Sequence, residues 1–447
     1  MTQPRVIRLK NLKFKSVPEN DKASWRRHQH FSRKTKGLVV VAIVVVLLVS
    51  LFAFLPSPTE SPLAKLLGFS NGQAGSGLIE PNQAVNSSVW RQVAANAWAY
   101  FQPGVGVDPE TGLPYASGMN FKAFTNWDLG VYIQAVIDAQ KIGLVAADGA
   151  WGSNSRLDKV LTFLENCPLN TTTNYPFWFY DATNGEDYHQ MSDFATQPVD
   201  VVDVGRLFVA LSNLKAYNSS LTQRIDNIAL YGRTNYTSLI PSIATDSTLN
   251  GIYDYYCVSG YASFWPQQLA AVPNAVLNNI ENDQTVTAYG VSLPEASINL
   301  EPMLCAMFEL NNTGTLPKLM NQVYAATQAY QKATGKFIGA SEGNGFQNQF
   351  IYEWVVAPDG KPWETTSTSG QPISPTPVVF TKVSFGFLAL YNSTFARDTV
   401  AYLEKTLPVP SNGYAEGADN SGHYVNVVSS NTNGLILDAA LYAIAAK

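Results

Sequence analysis

Five carboxylic side chains in this sequence stand where acid–base chemistry is feasible. Asp128, Asp203 and Glu301 fall at the starts of apolar helical stretches. Glu342 and Glu416 sit in the glycine-rich runs Ser341-Glu342-Gly343-Asn344-Gly345 and Gly413-Tyr414-Ala415-Glu416-Gly417. A helix start favours the ionised carboxylate, as a general base requires. Apolar neighbours push a carboxyl the other way, toward the protonated form that a general acid needs. Glu301, Glu416, Glu342 and Asp128 are therefore the catalytic candidates. An Asp at a helix start is equally a cap for free amide hydrogens, so Asp128 and Asp203 also carry a structural reading.

Two other chemistries have partial signatures. Gly339-Ala340-Ser341-Glu342-Gly343 fits the G-x-S-x-G turn of a serine hydrolase, with His423 downstream. That turn needs a strand before it and a helix after it. Here Asn344-Gly345 and an aromatic, strand-like run follow, and the α/β alternation is missing, so catalysis through Ser341 is a remote alternative. No metal is expected, because His189 and His423 stand far apart without H-E-x-x-H or paired-cysteine spacing. Asp181, Asn184, Glu186 and Asp187 form an oxygen-rich loop that lacks the EF-hand spacing and reads as a solvated turn. No cofactor is expected either.

The elements that must position these groups are variations on one unit. Thr125-Asn126-Trp127-Asp128-Leu129-Gly130 opens a helix in which Ile133, Val136, Ile137 and Ile142 share an apolar face and Ala135 and Ala139 keep the backbone close to neighbours. Val201 to Leu214, Ile298 to Leu310, Val383 to Asn392 and Asn431 to Ala446 repeat the plan. Asp128, Asp203, Asn299, Ser384 and Thr432 each precede by two residues Gly130, Gly205, Glu301, Gly386 and Gly434. Further helices are expected over Ser88–Phe101, Asn154–Asn166, Leu221–Ser242, Leu269–Asn279, Leu316–Thr334 and Phe395–Leu407. Short strands are expected over Tyr175–Tyr180, Gly251–Val258 and Phe350–Val356. The fold class is all-α, about a dozen helices in hairpins with a few strands in the connections.

The amino-terminal region differs. The first 36 residues carry eleven Lys or Arg against Glu19 and Asp21, and residues 1–37 read as a solvated basic tail. Nucleic acid is not the expected partner, because Leu38 to Leu55 is apolar apart from Ser50 and long enough to cross a hydrocarbon core of roughly 30 Å. Pro56-Ser57-Pro58 follows where a cleavage site would be, so 38–55 is expected to be a retained signal anchor. The basic flank puts the amino terminus in the cytoplasm and everything after the span outside. Residues 56–83, rich in Pro, Ser and Gly, read as a stalk, and 84–447 as one domain. That domain is acidic, and the sequons at Asn86, Asn170, Asn218, Asn235, Asn311 and Asn392 suit an exterior location. Cys167, Cys257 and Cys305 permit one disulfide at most.

Six motifs in order, TNWDLG, the VDVGRLFVAL of Val202–Leu211, ATGKFIGASEG, DGKPW, GYAEG and NTNGLILDAALY, resemble the uncharacterised family called domain of unknown function 3131. That family is in turn similar to the glucoamylase-like (α/α)6 toroids. The resemblance implies a ring whose inner helices aim their amino-terminal ends at a cleft that holds sugar. It also implies glycoside hydrolysis, in which one carboxyl is protonated and a second is ionised. Trp127, Asp203, Trp354, Trp363, Tyr414 and Asn433 would then contact a neutral poly- or oligosaccharide, flat rings stacking on sugar faces. Glu301 replaces the glycine of the other copies, so its side chain is expected to project into the cleft, or else to neutralise a buried Arg or Lys. A non-catalytic carbohydrate-binding or envelope-scaffold module is the competing reading.

Overall fold

The structure, a computed structural model, describes residues 85–118, 121–188, 200–310 and 314–445. The expected tail, membrane span and stalk lie outside the described residues, as does His189. Among the described residues no helix is long and apolar enough to cross a membrane.

Among the described residues, twelve of the α-helices alternate between two layers. They are α1 (Ser87–Trp98), α2 (Asn126–Ile142), α3 (Ser153–Asn166), α4 (Val201–Tyr217), α5 (Thr222–Asp226) and α6 (Ile252–Phe264), followed by α7 (Val272–Glu281), α8 (Leu300–Glu309), α9 (Thr315–Thr334), α10 (Thr381–Tyr391), α11 (Thr394–Thr406) and α12 (Ser430–Ala445). The even-numbered helices form an inner ring, each packing on the next, with α12 closing on α2. The odd-numbered ones form an outer layer, α3 against α2, α7 against α6 and α11 against α10. The result is a toroid of two concentric helical layers.

Burial explains the division of labour. Inner helices are apolar on most sides: in α2 the run Asn126–Ala139 is buried without a break. The outer α3 buries only Ser153, Arg156, Leu157, Val160, Leu161 and Leu164, one stripe at helical spacing. The repeated glycines are where inner helices cross. A Cβ on Gly205 of α4 would lie 2.5 Å from the Cβ of Cys257 on α6, and one on Gly260 of α6 would lie 2.1 Å from the carbonyl oxygen of Gly205. Neither crossing admits a methyl group.

The segment expected as a strand, Gly251–Val258, is instead the start of α6, the third inner helix and the one missing from the five repeats read in the sequence. Its alternating aromatics mimic a strand, but Asp254 in the first turn and the small Ser259, Gly260 and Ala262 let it nest against α4. Packing overrides the β-propensity of Tyr and Val here. Leu221–Ser242 is not one helix: it breaks into α5, a π-helical turn over Asn227–Tyr231, a 3₁₀ turn over Tyr236–Leu239 and a short α-helix over Ile240–Thr245. Gly232 and Pro241 account for the interruptions. Within Tyr175–Tyr180 only Tyr180 pairs in a strand, β2 (Tyr180–Asp181) against β1 (Ala123–Phe124).

The remaining strands are antiparallel and sit in the connections. β3 (Thr285–Ala288) and β4 (Val291–Pro294) form a hairpin. A four-stranded sheet runs in the order β5 (Glu342–Asn344), β6 (Phe350–Glu353), β7 (Thr365–Ser367), β8 (Pro372–Ile373). A three-stranded sheet places β10 (Ala415–Ala418) between β9 (Val379–Phe380) and β11 (Tyr424–Val428). The three cysteines are buried and unpaired.

Candidate active site

The amino-terminal ends of all six inner helices converge on one group of polar side chains. Thr125 caps α2, and Asp128 returns the bond to the Thr125 amide at 3.0 Å in a capping box. The other Asp128 oxygen accepts from the Ser430 hydroxyl at 2.7 Å, tying α2 to the start of α12. Asn299 caps α8 through the Glu301 amide, while its side-chain NH2 donates to the Glu353 carbonyl at 3.0 Å. The start of α8 is thereby fixed to β6.

Glu301 is 1 % exposed. The space its side chain enters is occupied by the ammonium of Lys382, from α10, which is wholly buried and forms an ion pair with Glu301 Oε2. Trp127 Nε1 donates to Oε1 at 3.2 Å from across the ring. Of the two expectations for Glu301, the buried ion pair describes this geometry. Burial alone would pull the Lys382 pKa down, but the charges of Glu301, Glu416 and Glu342 outweigh it and hold the ammonium above its ordinary value.

Glu342, on β5, accepts from the hydroxyl of Tyr253 on α6. Burial, then the charge of Glu301, push its carboxyl up to about 8, against the opposing pull of Lys382 and the Tyr253 hydrogen bond. Glu416, on β10, accepts from the Thr432 hydroxyl and from the Asn344 side-chain amide at 3.1 Å. Asp203 sits half-buried in the first turn of α4, capped by Asp200. Burial, then the neighbouring Asp200, raise it well above the usual carboxylate range, with Asp128 and Glu342 adding to the effect. Burial also raises Asp128, despite its hydrogen bonds from Thr125 and Ser430.

The structure thus assembles Asp128, Asp203, Glu301, Glu342, Glu416 and Trp127 in one place. Trp354 belongs there too, its ring 6.0 Å from that of Tyr253, which in turn lies 5.9 Å from Trp127. Three other sequence candidates are engaged elsewhere. Trp363 packs on Tyr330 of the outer helix α9, 5.5 Å between ring centroids. Tyr414 and Asn433 are buried and spent on each other, the Asn433 side chain bonding both the amide and the carbonyl of Tyr414 at 2.7 and 3.1 Å.

Ser341 is fully buried and leads into β5 rather than a helix, so the serine-hydrolase turn is not formed. His423 pairs with Asp419 at 2.9 Å on the β10–β11 turn. Asp181 and Asn184 accept from backbone amides of their own loop, Thr183 and Glu186. Among the described residues no group of three His, Cys, Asp or Glu is placed to hold a metal ion. A groove of about 110 Å³ lined by Glu281, Thr285, Ser292 and Lys318 lies on the outer layer and contains none of the candidates.

Sequence reasoning missed Lys382, Tyr253, Asn344 and Thr432. Lys382 had a signal: it is the one charged residue in the apolar run Val378–Tyr391. Tyr253 was lost with the misread α6.

Comparison with known proteins follows the same lines. The family described as protein of unknown function DUF3131 matches residues 92–446. No curated protein matches the chain. Among solved structures, a putative glucoamylase from Bacteroides caccae ATCC 43185 is 13% identical with a TM-score of 0.59, covering 80% of this chain and 93% of that one. An endo-β-1,2-glucanase from Chitinophaga pinensis, in complex with sophorotriose and glucose, is 12% identical with a TM-score of 0.54 over 80% and 92% of the two chains. The endo-β-1,2-glucanase from Talaromyces funiculosus, in complex with sophorose, is 11% identical with a TM-score of 0.55 over 80% and 85%. These likenesses establish the toroidal fold.

Proposed function

The chain belongs to the DUF3131 family, a family of unknown function, and from its site we propose that it is a glycoside hydrolase acting on a neutral glucan, with Glu342 as general acid. The observation that carries this reading is the placement of Glu342, buried at the meeting point of the inner helices and bound by the Tyr253 hydroxyl. It is a carboxyl held protonated to about pH 8 by burial and a fixed negative neighbour, on the face where six helix starts converge. Asp203 is the second carboxyl of the pair. It has more open surface than Asp128, Glu301 or Glu416. Glu301, whose negative charge Lys382 favours against the opposing effect of burial, acts through Glu342: its charge helps hold the proton there until the leaving oxygen takes it.

The carboxylate-rich mouth repels anionic polymers, so the substrate is uncharged. β-1,2-Glucan is the first candidate, because two similar toroids are endo-β-1,2-glucanases. The apolar segment 38–55 would hold the toroid outside a membrane, within reach of such a polymer.

Glu342→Gln keeps the volume and removes the acid. Turnover of β-1,2-gluco-oligosaccharides should fall by about 10² to 10⁴, with glucan binding and melting temperature retained. Parental turnover by Glu342→Gln would remove Glu342 from the chemistry. Binding without turnover by the parent chain, across neutral glucans, would favour the carbohydrate-binding module.

A further inference from the structure

β5 and β6 pair with Glu342 opposite Tyr352 and Asn344 opposite Phe350. Directly opposed residues in an antiparallel pair project from the same face of the sheet, and alternate residues along a strand share that face. Glu342 and Asn344 both point into the polar group, toward Tyr253 and Glu416. Phe350, Tyr352 and, continuing the alternation, Trp354 therefore line the same wall. All three are only half-buried, whereas Ile351 and Glu353, on the opposite face, are shut into the protein.

The rings form a continuous row. Phe350 and Tyr352 are 5.5 Å apart, Tyr352 and Trp354 are 6.1 Å apart with planes 18° from parallel, and the row turns through Tyr253 to Trp127. At about 3.4 Å per residue, Phe350 to Trp354 spans roughly 14 Å, and Glu342 faces its middle member. Core aromatics at strand spacing are normally fully covered; these three are only partly covered, on the wall that carries an acid, and flat rings of this kind hold apolar sugar faces.

Resting on the hydrolase reading above, we propose that β6 is a binding track for several consecutive sugar units on both sides of Glu342, with Phe350 as its outermost platform. The substrate is then an oligomer or polymer that lies along β6 and is cut internally, and chain-length preference is set by Phe350 and Trp354 rather than by the carboxyls. Trp354 is held in its pose by a 3.0 Å hydrogen bond from its indole nitrogen to the Thr366 hydroxyl on β7. Phe350 has no polar handle, so truncating it removes stacking surface alone.

The test compares Phe350→Ala and Phe350→Trp with the parent full-length chain on β-1,2-gluco-oligosaccharides of increasing length. For Phe350→Ala the ratio of kcat/KM on long over short oligosaccharides should fall roughly tenfold, and Phe350→Trp should restore it. An unchanged ratio, or an equal loss at every length, overturns the track. Affinity of the same variants for immobilised glucan, read without turnover, keeps the two readings separable. If the parent binds but hydrolyses nothing, weaker binding by Phe350→Ala alone still supports the track while the hydrolase reading fails. Equal binding by all three variants overturns the track.

Discussion

Two carboxylate-rich clusters lie in the inner ring, one at its mouth and one sealed within, and they solve the same electrostatic problem differently. The sealed cluster joins Asp138 of α2, Arg206 of α4, Tyr256 of α6, Glu309 of α8 and Asp438 of α12. Arg206 and Glu309 form an ion pair at 2.7 Å with both side chains 1 % exposed, and the Tyr256 hydroxyl adds a 2.9 Å bond to Glu309. Gln134 donates to Asp138 at 2.8 Å. Three carboxyls thus face one guanidinium. Oδ2 of Asp138, Oδ1 of Asp438 and Oε1 of Glu309 find no donor among the protein groups, which protons on the carboxyls themselves supply. Burial, then the charges of Asp138 and Glu309, hold Asp438 well above the usual range. At the mouth, one ammonium likewise serves several carboxyls, but Glu342 faces half-exposed rings and Asp203 is itself half-exposed. What distinguishes the two clusters is the partly open surface beside Glu342; the count of acids does not separate them.

The sharpest way to break this contrast is Arg206→Met. It leaves Glu309 buried without a cation and should cost about 3–5 kcal/mol, read as a large drop in melting temperature or denaturant midpoint. A loss as small as that of a surface substitution would mean the sealed cluster is hydrated and resembles the mouth. The next effect is on pH dependence. With the acid at about 8, kcat/KM should decline above that pH, approaching tenfold per unit, because the proton donor is lost. A flat profile from pH 7 to 10 would assign the proton to another group.

The smallest effect belongs to Asp438→Asn. In the folded chain Asp438 keeps a proton that the unfolded chain gives up once pH exceeds the ordinary aspartate range, so stability declines as pH rises from there toward the folded pKa. Asn mimics the protonated form and cannot titrate. Stability near pH 5 should change by less than about 1 kcal/mol, and its decline between pH 5 and 9 should be shallower than the parent's. An unchanged decline would show that Asp438 is ionised in the fold.

The repeated helix made much of this legible before any coordinates. Glycine or alanine at fixed offsets from a capping residue reports a backbone that must approach another closely, and Gly130, Gly205, Gly386 and Gly434 do lie against neighbouring inner helices. Carboxyls at helix starts were equally visible, and Asp128, Asp203 and Glu301 meet in one place with Glu342 and Glu416 from the glycine-rich runs. Glu301 shows the limit of that reasoning. The glycine pattern correctly implied crowding, but crowding toward the adjacent helix, where a lysine distant in sequence supplies the counter-charge. Tyr414 and Asn433 were misplaced for a related reason, because a loop motif does not reveal which of its faces the chain turns inward. The third inner helix, α6, was hidden because Tyr256 and Tyr261 stand where the other copies carry small residues, and only the pairing of Gly260 with Gly205 reveals the true register.

The bond between Asp128 and Ser430 closes the ring across 302 residues of sequence. Contacts so distant carry a loop-closure cost before they return any stability, and they form late. During synthesis α2, α4 and α6 can nest pairwise, but the wall that α12 supplies, including the Thr432 partner of Glu416, does not exist until the carboxyl-terminal helix has left the ribosome. A nascent chain therefore carries an open ring, and docking of the sixteen-residue helix α12 is the event that closes the inner ring and completes the polar group around Glu416.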